Sequence, residues 1–284
     1  MVVVQKIFIY YFLKIYKMNE TITRTLSGLV YITLLLIATS YSAHSFFLLF
    51  GLFLLIAIYE FCQLIHISKI IPLLLGVILY SLGTYYRTNK TNDILLLIAT
   101  LFVSVKCLLL LFDSKKEKLD SISKYIYLIG YVILPFIIIT KIPFGIRGYN
   151  PKIIISIFIL IWTNDTFAYV VGKSIGKHKL LEKISPKKTV EGFFGGIVFC
   201  VLASCLLSKY YIEATIFIWI IISLIVVVFS TLGDLIESKF KRMAGVKDSG
   251  NIMPGHGGML DRLDSIIFVA PFIFLFYQIL YYVS

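Results

Sequence analysis

The sequence predicts an all-α, polytopic integral membrane protein, and three observations carry that fold class. Hydrophobic residues make up 59% of the 284 residues and charged ones only 15%, with a mean hydropathy of +0.93, whereas an ordinary soluble domain is about 45–50% apolar and about 25% charged. The apolar residues gather into nine runs, each close to the roughly 20 residues a helix needs to cross hydrocarbon. The 27 lysines and arginines fall unevenly on the two sides that those runs define.

In chain order the runs cover residues 27–43, 45–65, 70–86, 94–112, 122–140, 153–171, 193–208, 214–233 and 265–283. The first two are parted by His44 alone, the thinnest of the boundaries. With the N-terminus inside, twenty Lys and Arg lie on the inside face, six lie outside, and Lys106 remains within a span. Cytoplasmic loops collect such residues, so the N-terminus is expected inside and the C-terminus outside. The formal charge of +12 then reflects topology and anionic lipid head groups, and nucleic acid is not expected as a partner. Cys62, Cys107, Cys200 and Cys205 sit in apolar runs without a CxxC pair, which reads as packing and not as a disulfide framework or zinc site.

Residues 1–17, MVVVQKIFIYYFLKIYK, form a basic N-terminal extension. It reads either as an interfacial amphipathic helix or as the result of a start site upstream of Met18. No small-residue cleavage site follows it, so a cleaved signal peptide is not expected. Residues 18–284 then form a single transmembrane domain, with its catalytic part at about 160–265.

The longest polar stretch, residues 233–262, is too short for a Rossmann unit or a kinase lobe. Any chemistry must therefore come from helix ends and two inside loops, 172–192 and 233–264. Two crossings separate these loops, so they share a face and can meet.

Asp165 lies about two turns from the inside end of its span. A carboxylate there is costly in lipid and should face the bundle interior or a watery cavity; a packing role against neighbouring helices is the alternative. Gly172, Lys173 and Ser174 do not make a P-loop, because Phe167 stands where that motif has glycine and no strand precedes it. SPKKTVEGFFGG, Ser185 to Gly196, joins a proline-fixed turn, Lys187, Lys188, a hydroxyl at Thr189 and a helix start. Exposed N–H groups beside two ammonium groups make a phosphate cradle, although a plain basic loop obeying the positive-inside rule has the same composition.

The second loop carries Asp234 and Glu237 three residues apart, then Asp261 and Asp264 three apart. Such pairs share a helix face, so carboxylates from two helices can converge on a hard cation such as Mg²⁺; for the latter pair, complementing a helix dipole is the alternative. Lys239, Lys241, Arg242, Lys247 and Arg262 surround them. Pro254-Gly255-His256-Gly257-Gly258 is a turn of little bulk, in which His256 is a proton shuttle, a phosphate donor, a metal ligand or simply a turn cap. Acids, cations and bare backbone without a thiol or serine triad point to metal-assisted phosphate chemistry.

The stretch SKFKRMAGVKDSGNIMPGHGGMLDRLD, Ser238 to Asp264, resembles the signature of the phosphatidate cytidylyltransferase (CDP-diacylglycerol synthase) family. The resemblance rests on Lys241-Arg242, Lys247-Asp248, Pro254, His256-Gly257-Gly258, Asp261-Arg262 and Asp264. Met253 departs softly from the Leu, Ile or Phe usual there. NDTFAY, GKHKL, SPKKTVEG and Tyr59-Glu60-Phe61 extend the resemblance upstream, and RTLSGLV from Arg24 looks like a family start, which favours Met18 as initiator. The firm match covers roughly the C-terminal 120 residues. It implies transfer of a cytidylyl group from CTP to phosphatidate, giving CDP-diacylglycerol and pyrophosphate. It also implies a two-cation site holding Mg²⁺ and a second, unidentified cation, with Asp234 and Asp261 as ligands and Asp264 and Asp165 ligating or supporting. Lys241, Arg242, Lys247, Asp248, His256 and Arg262 become the catalytic set, and Ser185, Lys187, Lys188, Thr189, Gly257 and Gly258 the substrate-binding set. The family further suggests a homodimer in a bacterial inner membrane, with the site on the cytoplasmic side.

Two alternatives stay open. A CTP-dependent lipid kinase of the dolichol or phytol type would transfer the terminal phosphoryl group to a lipid alcohol. A transporter would use Glu60, Lys106 and Asp165 as its path, but that predicts internal repeats and charge spread through the bilayer, whereas polar residues here crowd one face.

Overall fold

The computed structural model describes residues 20–85, 89–113, 119–145 and 148–283. The expectations for residues 1–17 and Met18 lie outside these described residues. Within them run ten α-helices: α1 Glu20–Tyr41, α2 Ala43–Leu64, α3 Ile70–Tyr85, α4 Lys90–Phe112, α5 Ser121–Tyr127, α6 Leu134–Lys141, α7 Pro151–Ile175, α8 Val190–Leu207, α9 Ile216–Met243 and α10 Leu260–Val283. A widened helical turn, Leu128–Ile133, joins α5 to α6 without a break, so Ser121–Lys141 acts as one crossing. Eight stretches are long and apolar enough to cross a membrane, and α3, with 16 residues, is the short ninth. Each of the nine predicted runs is thus a helix or a continuous helical stretch.

Boundaries differ from the sequence reading in two informative places. The break between the first two spans falls at Ser42 and not at His44. Ser42 Oγ accepts the Ser45 N–H at 3.1 Å while Ser45 Oγ accepts the Ser42 N–H at 3.0 Å, a reciprocal cap that starts α2. At the other end, α9 runs on to Met243, ten residues beyond the predicted exit at 233. Charged residues do not stop a helix, and residues 234–243 contain neither proline nor glycine. Asp234 and Glu237 therefore stand on the helix end where the sequence places them, Lys241 stands there too, and the loop proper is residues 244–259.

Helix α10 and the Ser121–Lys141 crossing are the most enclosed: 61% of the membrane window of each is buried inside the protein, against 17% for α1. The core packs Phe50, Phe61, Phe136, Phe158, Phe240 and Phe268, all fully buried. Leu29, Val30, Phe102, Leu109 and Leu202 face outward, as lipid contact requires.

Two close helix approaches set the site. A Cβ on Gly192 of α8 would stand 2.5 Å from the Ala168 carbonyl oxygen of α7, and one on Gly233 of α9 would stand 2.7 Å from the Asp264 carbonyl oxygen of α10. Only glycine permits either approach. Between α7 and α8 lies a small antiparallel hairpin, β3 Lys179–Leu181 with β4 Ser185–Thr189, in which Lys179 faces Thr189 and Leu181 faces Ser185. Its end is the start of α8, where Thr189 Oγ1 accepts the Gly192 N–H at 3.1 Å, the cap expected of a threonine before a helix. A second hairpin, within the connection from α6 to α7, pairs β1 Phe144–Gly145 with β2 Gly148–Tyr149.

Candidate active site

Spacing on α9 puts Asp234, Glu237 and Lys241 on one face, and α10 brings Asp261 and Asp264 against it. Carboxylate oxygens of Asp234, Glu237 and Asp264 all lie within 4.8 Å of one another. Three like charges so close repel unless cations intervene. Lys188 of β4 pairs with Asp234, and Lys241 pairs with Glu237 and, at 2.6 Å, with Asp261 Oδ1. Two ammonium groups do not saturate the cluster: Glu237, 1% exposed, has an Oε1 that accepts no hydrogen bond among the described residues. Buried carboxylate oxygen with unused acceptor capacity suits a hard divalent cation.

Asp261 is bound differently. Its Oδ2 accepts the Ser249 N–H at 2.9 Å, the Ser249 hydroxyl at 3.0 Å and the Gly258 N–H at 2.7 Å. With Lys241 on Oδ1, both of its oxygens are engaged, and it organises the loop 244–259. Within that loop the Met253 N–H bonds the Gly257 carbonyl and the His256 N–H bonds the Met253 carbonyl, both at 2.9 Å. Gly255 and Gly257 take left-handed φ values of +74° and +88°, a conformation that glycine reaches without strain.

Two cavities flank this loop. One, of about 200 Å³, opens between α1, α7 and α10. Its polar lining is Asp165, His256, Asp261, Arg262 and Asp264 with Tyr31; its apolar wall is Ile32, Phe158, Ile161, Trp162 and Ile266. The other, of about 510 Å³, is lined by Arg24, Lys247, Asp248, Asn251 and Gly255, with Gly257. Met253, His256 and Arg262 belong to both linings and form the shared wall.

His256 is fixed by α1. The Ser27 hydroxyl lies 2.9 Å from the Pro254 carbonyl and 3.1 Å from that of Arg24, and its oxygen is 2.8 Å from His256 Nδ1. With the hydroxyl hydrogen on either carbonyl, Nδ1–H donates to the Ser27 oxygen; with that hydrogen on the ring, Nδ1 accepts it instead. Burial, with Arg262 and Arg24 nearby, lowers the imidazole's pKa from its ordinary value and so favours the neutral ring.

The predicted site residues are thereby placed. Lys188, Asp234, Lys241, Asp261 and Asp264 converge, which brings the two polar segments together as their topology predicts. Asp165 and Arg262 line the smaller cavity, and Lys247, Asp248 and Gly257 the larger. Gly258 donates its N–H to Asp261, and Thr189 caps α8. Ser185 and exposed Lys187 lie along β4 and line neither cavity. Arg242 turns back to the Val246 carbonyl at 3.1 Å, closing its own turn. The three-carboxylate group contains Glu237 in place of Asp261. Sequence reasoning noticed Glu237 beside Asp234 but left it out of the ligand set, and it did not single out Ser27, Tyr31 or Ser249. Only the α1 stretch RTLSGLV, Arg24 to Val30, touched on the first of these.

This geometry can be set beside known proteins. A model of the Cytidylyltransferase family matches residues 22–280. The phosphatidate cytidylyltransferase of Staphylococcus aureus (strain COL) is 52% identical over 127 residues, 44% of this chain and 48% of that protein. Its namesakes in Staphylococcus saprophyticus and Staphylococcus epidermidis (strain ATCC 12228) are 50% and 47% identical over the same lengths. The chain thus spans about half the length of the curated relatives it matches. The family match, by contrast, takes in every helix from α1 to α10 and both cavities, and the chain belongs to the cytidylyltransferase family.

Proposed function

We propose that this chain transfers the cytidylyl group of CTP to phosphatidate, releasing pyrophosphate and forming CDP-diacylglycerol. One observation carries the reading: a single wall, His256 with Arg262, separates a cationic cavity from a half-apolar one. A polyphosphate suits the first, and a phosphate on an apolar body suits the second.

In this reading Arg24 and Lys247 neutralise the triphosphate in the larger cavity, and Arg262 touches both substrates. The lipid phosphate enters the smaller cavity, its glycerol and acyl carbons lying along Phe158, Ile161, Trp162 and Ile266. An oxygen of that phosphate attacks the α-phosphorus of CTP, the bond from α-phosphorus to the bridging oxygen breaks, and pyrophosphate leaves with the electron pair. The attacking oxygen is already anionic near neutral pH, so no strong base is required.

Asp234, Glu237 and Asp264 would hold Mg²⁺, supported by their proximity and by the unused Glu237 oxygen. When bound, the ion supplies charge neutralisation at the reacting phosphates. Lys188 and Lys241 balance the same carboxylates in its absence, and Asp261 keeps the loop in place. The excess of Lys and Arg on the face that carries the site supports a cytoplasmic orientation in a bacterial inner membrane.

The test is the fate of label in CTP. Incubating the chain in detergent micelles with phosphatidate and CTP labelled at the α-phosphate should put label into the lipid. Lipid label from γ-labelled CTP would instead identify a lipid kinase, and label from neither would reject nucleotide transfer.

A further inference from the structure

Glu60 lies near the end of α2 and is 1% exposed, at a depth where an unpaired carboxylate is costly. Among the described residues no lysine or arginine pairs with it. Its partners belong to the other end of the chain: Oε1 accepts the Met259 N–H at 3.0 Å, Oε2 accepts the Leu260 N–H at 2.8 Å, and Oε2 lies 3.1 Å from the Ser249 hydroxyl oxygen, whose one hydrogen it shares with Asp261. These two amides open α10. First-turn amides have no acceptor within their own helix, and a Ser, Thr, Asp or Asn just before the helix ordinarily serves them. Here that place holds Gly258 and Met259, which offer no side-chain oxygen.

The loop is shaped around this carboxylate. A Cβ on Gly250 would lie 2.5 Å from Glu60 Oε1, and one on Gly258 would lie 2.5 Å from Oε2. The positive pole of α10 compensates the negative charge. Ser249 joins the arrangement to Asp261, because its hydroxyl lies 3.1 Å from Glu60 and 3.0 Å from Asp261 Oδ2.

We infer that Glu60 is a positioning residue: by capping α10 from α2 it fixes the first turn of that helix, and with it Asp261 and Asp264. Leu260, whose amide it holds, is the neighbour of Asp261 and lies one turn before Asp264. Through Ser249 the same carboxylate holds the inner side of the loop whose outer side presents Lys247 and His256. Aspartate is one methylene too short to reach both amides. Glutamine keeps one acceptor but turns an N–H group toward the second amide. The catalytic readout of this inference rests on the cytidylyl-transfer reading.

The test uses the full chain in micelles, wild type beside Glu60→Gln and Glu60→Ala, with kcat and KM for CTP expressed per folded molecule and hydrogen exchange followed at Met259 and Leu260. Misplacing reacting groups by about 1 Å costs on the order of 100-fold. Glu60→Ala should therefore lower kcat by about that factor, keep KM for CTP within about threefold, and lose exchange protection at both amides. Glu60→Gln should fall between, and it carries the comparison if the alanine variant does not fold. Wild-type kcat per folded molecule in Glu60→Ala, or unchanged protection of the two amides, overturns the inference, even if the folded fraction falls. If the wild type itself transfers nothing, the transfer reading fails, and exchange at Met259 and Leu260 still decides the cap: lost protection supports it and retained protection overturns it.

Discussion

Lys188 of β4 pairs with Asp234 of α9, an ion pair that ties together the two polar segments on either side of α8. It places a cation on one of the three carboxylates proposed to hold Mg²⁺. An ammonium and a metal ion compete there, since two positive charges on one carboxylate repel. Replacing Lys188 by Met should tighten Mg²⁺ binding by about tenfold, equivalent to 1.4 kcal/mol, while lowering kcat/KM for CTP. Calorimetric titration with Mg²⁺ alone reads the first effect, and weaker Mg²⁺ binding would contradict it.

Glu237→Gln and Asp264→Asn each remove one charge from the cluster while keeping its shape. Each should reduce kcat by about 10²–10³-fold, the scale seen when one electrostatic contact to a developing charge is lost, and raise the Mg²⁺ concentration needed for half-maximal rate. Initial rates across a Mg²⁺ series check this. A variant with a wild-type Mg²⁺ dependence would remove that residue from the ligand set.

Asp261→Asn should abolish turnover for a different reason. Both Asp261 oxygens accept hydrogen bonds or an ion pair, and an amide in its place turns a donor toward a donor. The chain should still insert in the membrane, as sedimentation with the membrane fraction would show. Full activity in this variant would separate the loop from catalysis.

Tyr31 lines the smaller cavity with a buried hydroxyl that has no hydrogen-bond partner among the described residues. An unsatisfied buried polar group costs about 1–3 kcal/mol. Tyr31→Phe should therefore raise thermal stability of the ligand-free protein while raising KM for phosphatidate several-fold. Stability and affinity moving together would refute a contact between this hydroxyl and the lipid phosphate.

Gly192→Ala tests the approach of α7 and α8. Its added methyl would meet the Ala168 carbonyl at 2.5 Å, and forced overpacking costs about 1–3 kcal/mol. The melting temperature should drop, and crosslinking between Cys residues introduced at 188 and 234 should become less efficient.

The nine apolar helical stretches, eight of them long enough to cross a membrane, were readable because hydropathy over some 20 residues reports preference for lipid directly. The carboxylates and cations were readable because their spacing survives as a helix face. Glu60 was not readable in its present role: its partners are backbone amides about 200 positions away, and amides carry no residue identity. Ser27 escaped for a related reason, since a serine in an apolar run is commonplace until His256 is found against it. Helix α9 outlasts its apolar run because charged residues do not end a helix, so the run marks the apolar part of the element and not its full length. That Glu237 comes within 4.8 Å of Asp234 and Asp264 while the loop engages Asp261 was not legible, because sequence spacing gives the face of a helix but not which acid the loop will claim.

The bond from Glu60 to the amides of Met259 and Leu260 also imposes an order on biosynthesis. A ribosome releases α2 long before it makes α10, so Glu60 enters the bilayer with its carboxylate unserved. Asp234 and Glu237 are likewise threaded in before the loop that will order them exists. The site closes only when α10 arrives, so a chain arrested short of it holds most of its acids and cations yet lacks the residues that wall both cavities. Arrival of α10 and assembly of the carboxylate cluster thus become the same event.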